Sequence, residues 1–193
     1  MSEKTPVVLA TNNLKKLKEI AAALPNYEIK TLKDIGCMID IPETADSFEG
    51  NALLKAKYVW EHYQLPCFSD DSGLVVPSLG GAPGIYSARY AGSQKNDEDN
   101  MDLLLKNLST QSDRSAYFIT VICYFDGDRE HYFEGRVTGK IIAAKRGTEG
   151  FGYDPIFVPD GFDKTFAEMG LDQKNHLSHR AKAVEKLKAF LGH

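Results

Sequence analysis

Apolar positions along this chain switch between two spacings. Val7, Val8, Leu9 and Ala10 form a short unbroken apolar run, the pattern of a strand covered on both faces. From Leu14 the spacing becomes helical: Leu14, Leu17, Ile20, Ala21 and Leu24 recur on one side, Lys15, Lys16, Lys18 and Glu19 fill the positions between, and Pro25 ends the segment. A second helix is predicted from a capping-box-like pair, Asp46 with Glu49, through Ala52, Leu53, Ala56, Val59, Trp60 and Tyr63, with Pro66 beyond its end. Gly80 to Gly84, GGAPG, predicts a loop, and Asp97 to Leu108 a third helix with Met101, Leu104, Leu105 and Leu108 inward. The character then changes. Ser115 to Phe125 is rich in β-branched and aromatic residues, Asp126-Gly127 is a hairpin signal, and His131 to Val137 supplies a returning strand. A glycine-punctuated stretch, 147–161, precedes a last helix from Ser178 to Leu191 with Ala181, Val184, Leu187 and Leu191 as its apolar stripe. Helices alternating with strands around a central hairpin predict an α/β fold with a mixed sheet.

Composition narrows the function classes. A chain of 193 residues can build one sizeable core or two small lobes, and a single domain is expected. The net charge of -4 argues against a general nucleic-acid binder, which needs a basic field, while leaving room for a local cationic pocket. Cys37, Cys67 and Cys123 are odd in number, widely spaced and set among apolar residues, so reduced buried thiols are expected rather than disulfides or zinc ligands. With no signal-peptide-like or membrane-spanning run, the expected setting is soluble and cytoplasmic, without membrane or nucleic-acid partners.

Three clusters carry candidate chemistry. Thr11-Asn12-Asn13-Leu14-Lys15-Lys16 lies where a buried strand hands over to a helix, and helix-start amides, a hydroxyl and lysines suit phosphate; a plain N-cap beside a solvated lysine face would use the same residues. It is not a P-loop, for the glycines are missing. The second cluster is acidic: Glu43, Glu49 and the Asp70-Asp71 pair in FSDDSG, residues 68–73. Asp, Ser and Gly favour a turn there, whereas two adjacent carboxylates at a strand end would suit a hard divalent cation. Asp46 and Glu49 are explained by capping and take no chemical role. The third cluster is Phe151-Gly152-Tyr153-Asp154 with Lys174 and His179-Arg180, where aromatic faces could stack on a base and polar groups read its edge. Packing accounts equally for Phe151 and Tyr153. Two cations at the start of the last helix sit poorly with its dipole, which favours a polar or anionic partner.

Five segments, ATNNLKKLKEI, FEGNALLKAKY, FSDDSGLVVPSLGGAPGIYSARYAG, EGFGYDPIFVPDG and KNHLSHRAKA, resemble in order the motifs of the inosine/xanthosine triphosphate pyrophosphatase family, over about residues 7–191. The resemblance implies an elongated mixed sheet with flanking helices, two lobes around a central nucleotide-binding cleft, Mg2+ dependence and a homodimer. It implies that deaminated purine nucleotides, ITP, dITP and XTP, are hydrolysed to the monophosphate and pyrophosphate. Thr11 to Lys16 would hold the triphosphate, with Lys16 also catalytic. Asp71 would be the catalytic carboxylate and a metal ligand, Glu43 a second ligand, and Ser72, Phe151, Gly152, Tyr153, Asp154, Lys174, His179 and Arg180 would bind the nucleotide. FSDDSG then reads as the metal-bearing end of a strand. One departure is Asn12, where many members carry glycine; Asn tolerates left-handed angles better than most residues. Alternative functions are a pyrophosphatase for another modified nucleotide and a non-catalytic nucleotide sensor.

Overall fold

The computed structural model describes residues 5–192. Six strands, β1 (Thr5–Leu9), β2 (Tyr27–Thr31), β3 (Cys67–Val75), β4 (Ser115–Phe125), β5 (Glu130–Ile141) and β6 (Phe157–Pro159), form one sheet in the order β2-β1-β3-β4-β5-β6. β1 runs parallel to both β2 and β3, and β6 is antiparallel to β5, so the sheet is mixed as the pattern predicts. Among the described residues five α-helices flank it: α1 (Leu14–Ala23), α2 (Phe48–Tyr63), α3 (Asp97–Asn107), α4 (Leu171–Leu177) and α5 (His179–Phe190). No helix among the described residues is long and apolar enough to cross a membrane.

Packing divides the chain into two compact units. The first takes the chain up to Asp71, Thr120–Gly135 and the chain from Arg180 onward; the second takes Ser72–Ile119 and Arg136–His179. In the first, consecutive strand residues point to opposite faces, as the two-residue period of a strand requires. Val8, Cys67 and Cys123 pack with Ala52, Ala56 and Val59 of α2, whereas Leu9, Phe68 and Ile122 pack with Ile20 and Leu24 of α1 and with Val184 and Leu187 of α5. This two-sided burial is why the β1 run is apolar without alternation. The second unit closes around Leu74, Met101, Leu104, Phe118, Ile141, Phe157 and Phe166.

Several boundaries differ from the pattern. Leu14, placed in the apolar stripe by its spacing, is 69% exposed because it opens α1 directly after the Asn13 cap. α2 is capped by Ser47, whose side chain accepts from the Gly50 amide, so the Asp46–Glu49 capping pair does not form. β5 continues four residues past Val137, through alternating buried and exposed positions. The short elements β2, β6 and α4 carried too few periodic residues to announce themselves. Asp70 and Asp71 lie inside β3, which runs on to Val75: FSDDSG is neither a turn nor a strand end.

Candidate active site

In the first unit, β1 delivers Thr11 to Lys16 to the start of α1. Asn13 has extended backbone angles and its Oδ1 accepts from the amides of Lys15 (3.0 Å) and Lys16 (3.2 Å), while its own amide donates to Thr11 Oγ1 at 3.1 Å. The N-cap reading of this segment therefore holds, and two helix-start amides are already engaged within it. Asn12 donates Nδ2 to the Ile39 carbonyl at 3.3 Å. Among the described residues the non-glycine positions with positive φ are Gln64 and Lys95, so Asn12 in the usual glycine position needs no left-handed backbone. Lys15 is exposed, whereas Lys16 turns inward and its Nζ lies 2.9 Å from Asp70 Oδ2.

That contact belongs to a buried charge network along β3. Arg180 Nε stands 3.8 Å from the same Asp70 oxygen, and Arg180 Nη1 is paired with Glu19 of α1. Lys55 of α2 donates to Glu43 Oε1 at 2.7 Å and to the Asp70 carbonyl at 2.6 Å. Asn51, fully buried one turn earlier on α2, donates Nδ2 to Asp71 Oδ2 at 3.1 Å. The two neighbouring carboxyls respond oppositely to this setting. Burial raises Asp70, but Lys16, Arg180 and Lys55 together outweigh it and hold its carboxyl well below the usual range. Burial dominates at Asp71: with Glu43 adding repulsion, and Lys55, Lys16 and the Asn51 hydrogen bond compensating only in part, its carboxyl is pushed up to about 6. Lys55 is raised: burial works against its charge, and Glu43, Asp70 and Asp71 overcome that. Asp70 is therefore a fixed anion and Asp71 a carboxyl poised near neutrality, the range useful for moving a proton.

Arg180 answers the question of cations at the start of α5. Its guanidinium is compensated by the Glu19 carboxylate within the protein, and its neighbour His179, of the second unit, is buried and stacked on Phe118 with centroids 4.8 Å apart.

In the second unit, Ser72 follows Asp71 along β3, and the turn 150–154 gathers the remaining candidates. The Phe151 amide donates to Asp154 Oδ2 at 2.8 Å, Lys174 Nζ lies 2.8 Å from the same oxygen, and that ammonium sits 4.9 Å from the Phe151 ring centroid. Tyr153 is a core residue, with its hydroxyl donating to the Ser87 carbonyl at 2.7 Å. Its side chain takes the packing role that the sequence left open, while Phe151 remains half-buried. The amide of Gly152 donates to Asp97 Oδ2 at 2.9 Å.

The structure thus sorts the candidates into one group, Thr11 to Lys16, Glu43, Asp71 and Arg180, in the first unit, and another, Ser72, Phe151 to Asp154, Lys174 and His179, in the second. Sequence reasoning passed over Glu19, Asn51, Lys55 and Asp97. Asn51 and Lys55 interrupt the apolar face of α2, and a polar residue at an inward position was the signal that could have found them.

Comparison with known proteins identifies the family. The Ham1 family model matches residues 7–190. A dITP/XTP pyrophosphatase of Flavobacterium johnsoniae is 53% identical over 94% of this chain and 95% of its own. One from Porphyromonas gingivalis is 51% identical over 96% of each. The solved Staphylococcus aureus Ham1 protein superposes with a TM-score of 0.89 at 41% identity, covering 97% of this chain and 98% of its own. Matches of that identity over nearly the full length place this chain in the Ham1 family.

Proposed function

We propose that this chain is a house-cleaning nucleoside triphosphate pyrophosphatase that converts ITP, dITP and XTP to the monophosphate and pyrophosphate, keeping deaminated purines out of DNA and RNA. The observation that carries the reading is the buried network on β3, where Lys16 and Lys55 flank an ionised Asp70 and an Asp71 whose carboxyl burial pushes up to about 6. The activity of the close relatives supports it.

Magnesium is the metal we assign. Its fit rests on the donor set: Asp71 and Glu43 offer hard oxygens, and the network's carboxylates, Glu19, Glu43, Asp70 and Asp71, outnumber its cations, Lys16, Lys55 and Arg180. Magnesium suits such a donor set because it takes one or two protein carboxylates and completes its shell with phosphate oxygens and water. Asp71 and Glu43 would hold it, and when bound it offsets phosphate charge and acidifies a coordinated water.

The chain's own residues then divide the work. Lys16 and Thr11 bind phosphate oxygens, with Asn12, Asn13, Leu14 and Lys15 shaping the approach. Asp71 orients water and takes its proton as the anhydride between the α and β phosphates breaks and pyrophosphate departs. Phe151 lies against the base. Donors of the His179-Arg180 segment meet a 6-keto oxygen, which an adenine amino group would replace with a donor facing donors. GTP shares that oxygen and is refused for its 2-amino group by the backbone of 151–154. We further propose that the enzyme works as a homodimer in the cytoplasm, a setting its three buried free thiols suit.

The test is pyrophosphate release from ITP, dITP, XTP, ATP and GTP, with Mg2+ and with a chelator. Metal-dependent release from the first three, far exceeding that from ATP and GTP, is expected. No release from any deaminated nucleotide would overturn the assignment.

A further inference from the structure

We infer that Asp97 is a positioning residue for base selectivity: by holding the backbone amide of Gly152, it fixes the place at which the turn 150–154 meets the purine 2-position and discriminates against a 2-amino group. The inference rests on the pyrophosphatase reading above, in which that turn faces the base.

Left-handed backbone at Gly150 (φ +78) and Gly152 (φ +63) lets the chain double back, but it also removes the regular ladder that would hold a strand or helix in place. Other contacts must fix the turn. On one side, Asp154 accepts from the Phe151 amide and from Lys174, whose ammonium lies over the Phe151 ring. A Cβ at Gly150 would collide with the Asp154 carboxylate, so this side is closed sterically as well. On the other side, Tyr153 is packed in the core and tied to Ser87. Gly152 lies between these two anchors and differs from both. A Cβ built there would meet nothing within 4 Å, so steric packing does not restrain it from that direction. Its restraint is the 2.9 Å hydrogen bond to Asp97, a residue 55 positions earlier in the chain.

The bland role for Asp97 is a negative charge in the first turn of α3, favourable to the helix dipole. Glu98 and Asp99 fill that role equally and are directed elsewhere, Glu98 to Lys145 at 2.6 Å and Asp99 to Gln94 at 3.3 Å. Asp97 adds a link from the rigid start of a helix to the tip of a glycine turn. Exclusion of a single amino group depends on placement to within a fraction of an ångström, so a tether at the tip governs selectivity without touching substrate.

The experiment compares wild type, Asp97→Ala, Asp97→Asn, Glu98→Ala, Asp99→Ala and Phe151→Ala in two measurements. The first is kcat/KM for ITP and GTP. Asp97→Ala is expected to lower the ITP/GTP ratio by about tenfold, the worth of one hydrogen bond to a charged group, mainly through a gain in kcat/KM for GTP. Asp97→Asn, which keeps a carbonyl oxygen as acceptor, and the two neighbouring controls retain the wild-type ratio to within about threefold. The second is hydrogen exchange at the Gly152 amide in the substrate-free protein, expected to quicken in Asp97→Ala and not in the controls. An unchanged ratio in Asp97→Ala, with a changed one in Phe151→Ala, overturns the role of Asp97 alone. If the wild type does not discriminate ITP from GTP, or Phe151→Ala leaves their ratio intact, the base-reading role of the turn falls first. Unchanged Gly152 exchange in Asp97→Ala overturns the tether whatever the kinetics.

Discussion

Asn51 donates Nδ2 to Asp71 Oδ2 across 3.1 Å while its Oδ1 accepts from the Ala45 backbone amide at 3.0 Å. One fully buried amide thereby joins the candidate catalytic carboxyl on β3 to the segment that carries Glu43. Asn51→Asp keeps the acceptor for Ala45 but replaces the donor with a second anion beside Asp71. It is expected to lower kcat/KM for ITP by at least about tenfold, with Asn51→Ala also losing stability because the Ala45 amide loses its partner. Wild-type kinetics in Asn51→Asp would show that Asp71 does not depend on this contact.

Asp71→Asn retains shape and can still accept from Asn51, but cannot take a proton or ligate a cation strongly. Turnover is expected to fall by about 10²-fold or more. Thermal stability of the metal-free protein near neutral pH should hold or rise, because a carboxylate that burial disfavours has been replaced by a neutral amide. Activity within a few-fold of wild type at saturating Mg2+ would remove Asp71 from the catalytic role.

Lys16 and Lys15 are adjacent in sequence and differ in setting. Lys16 is turned in upon Asp70, whereas Lys15 is exposed. Lys16→Ala should weaken ITP use and also lower stability, since it withdraws a partner from a buried carboxylate. Lys15→Ala should do neither. Steady-state kinetics and thermal melts of both variants test this, and the reverse ranking would move the phosphate contact to Lys15.

The long periodic segments were legible because burial on one or two faces writes itself directly into residue spacing; β4 begins and ends where its composition does, at Ser115 and Phe125. Leu14 misled because spacing marks a face but not how far along a helix the core extends. The site was legible as residue types, through the order of its motifs, but not as wiring. Nothing local in LKKLKEI indicates that Glu19 is reserved for an arginine 161 residues later. Likewise, nothing in FSDDSG separates an Asp70 held down by three cations from an Asp71 lifted by burial. Those assignments depend on which helices cover β3, a tertiary property.

Cys67 and Cys123 give a pH-dependent prediction of defined sign. Burial pushes both thiols up to about 12, from an ordinary value of 9.0. Below pH 9 both folded and unfolded chains hold these protons, so the contribution to stability is fully present. As pH rises from 9 toward 12, the unfolded chain releases them while the folded one cannot, and stability is lost. Thermal melts should therefore fall more steeply over this window in wild type than in Cys67→Ala/Cys123→Ala. A thiol reagent at pH 8 should label these two cysteines only after denaturation. Rapid labelling of either in the native protein would contradict their burial.

Glu19 and Arg180 provide the sharpest separation of structural from chemical roles. Both side chains are buried, the pair joins α1 to the first turn of α5, and the Arg180 guanidinium also reaches toward Asp70. Removing either partner strands a charge away from water, at a cost of about 3–5 kcal/mol, whereas replacing both with apolar residues of similar volume removes the stranded charge as well. Glu19→Ala and Arg180→Ala should each melt well below wild type, and Glu19→Met/Arg180→Met should recover much of the loss. That double variant is then the right background for the selectivity question, because it folds without the guanidinium. If Arg180 donors meet the 6-keto oxygen, its ITP/ATP ratio of kcat/KM should fall by about tenfold or more. A stable double variant that still prefers ITP as strongly as wild type would confine Arg180 to holding Asp70 and α1 in place, and leave base recognition to His179 and the 151–154 turn.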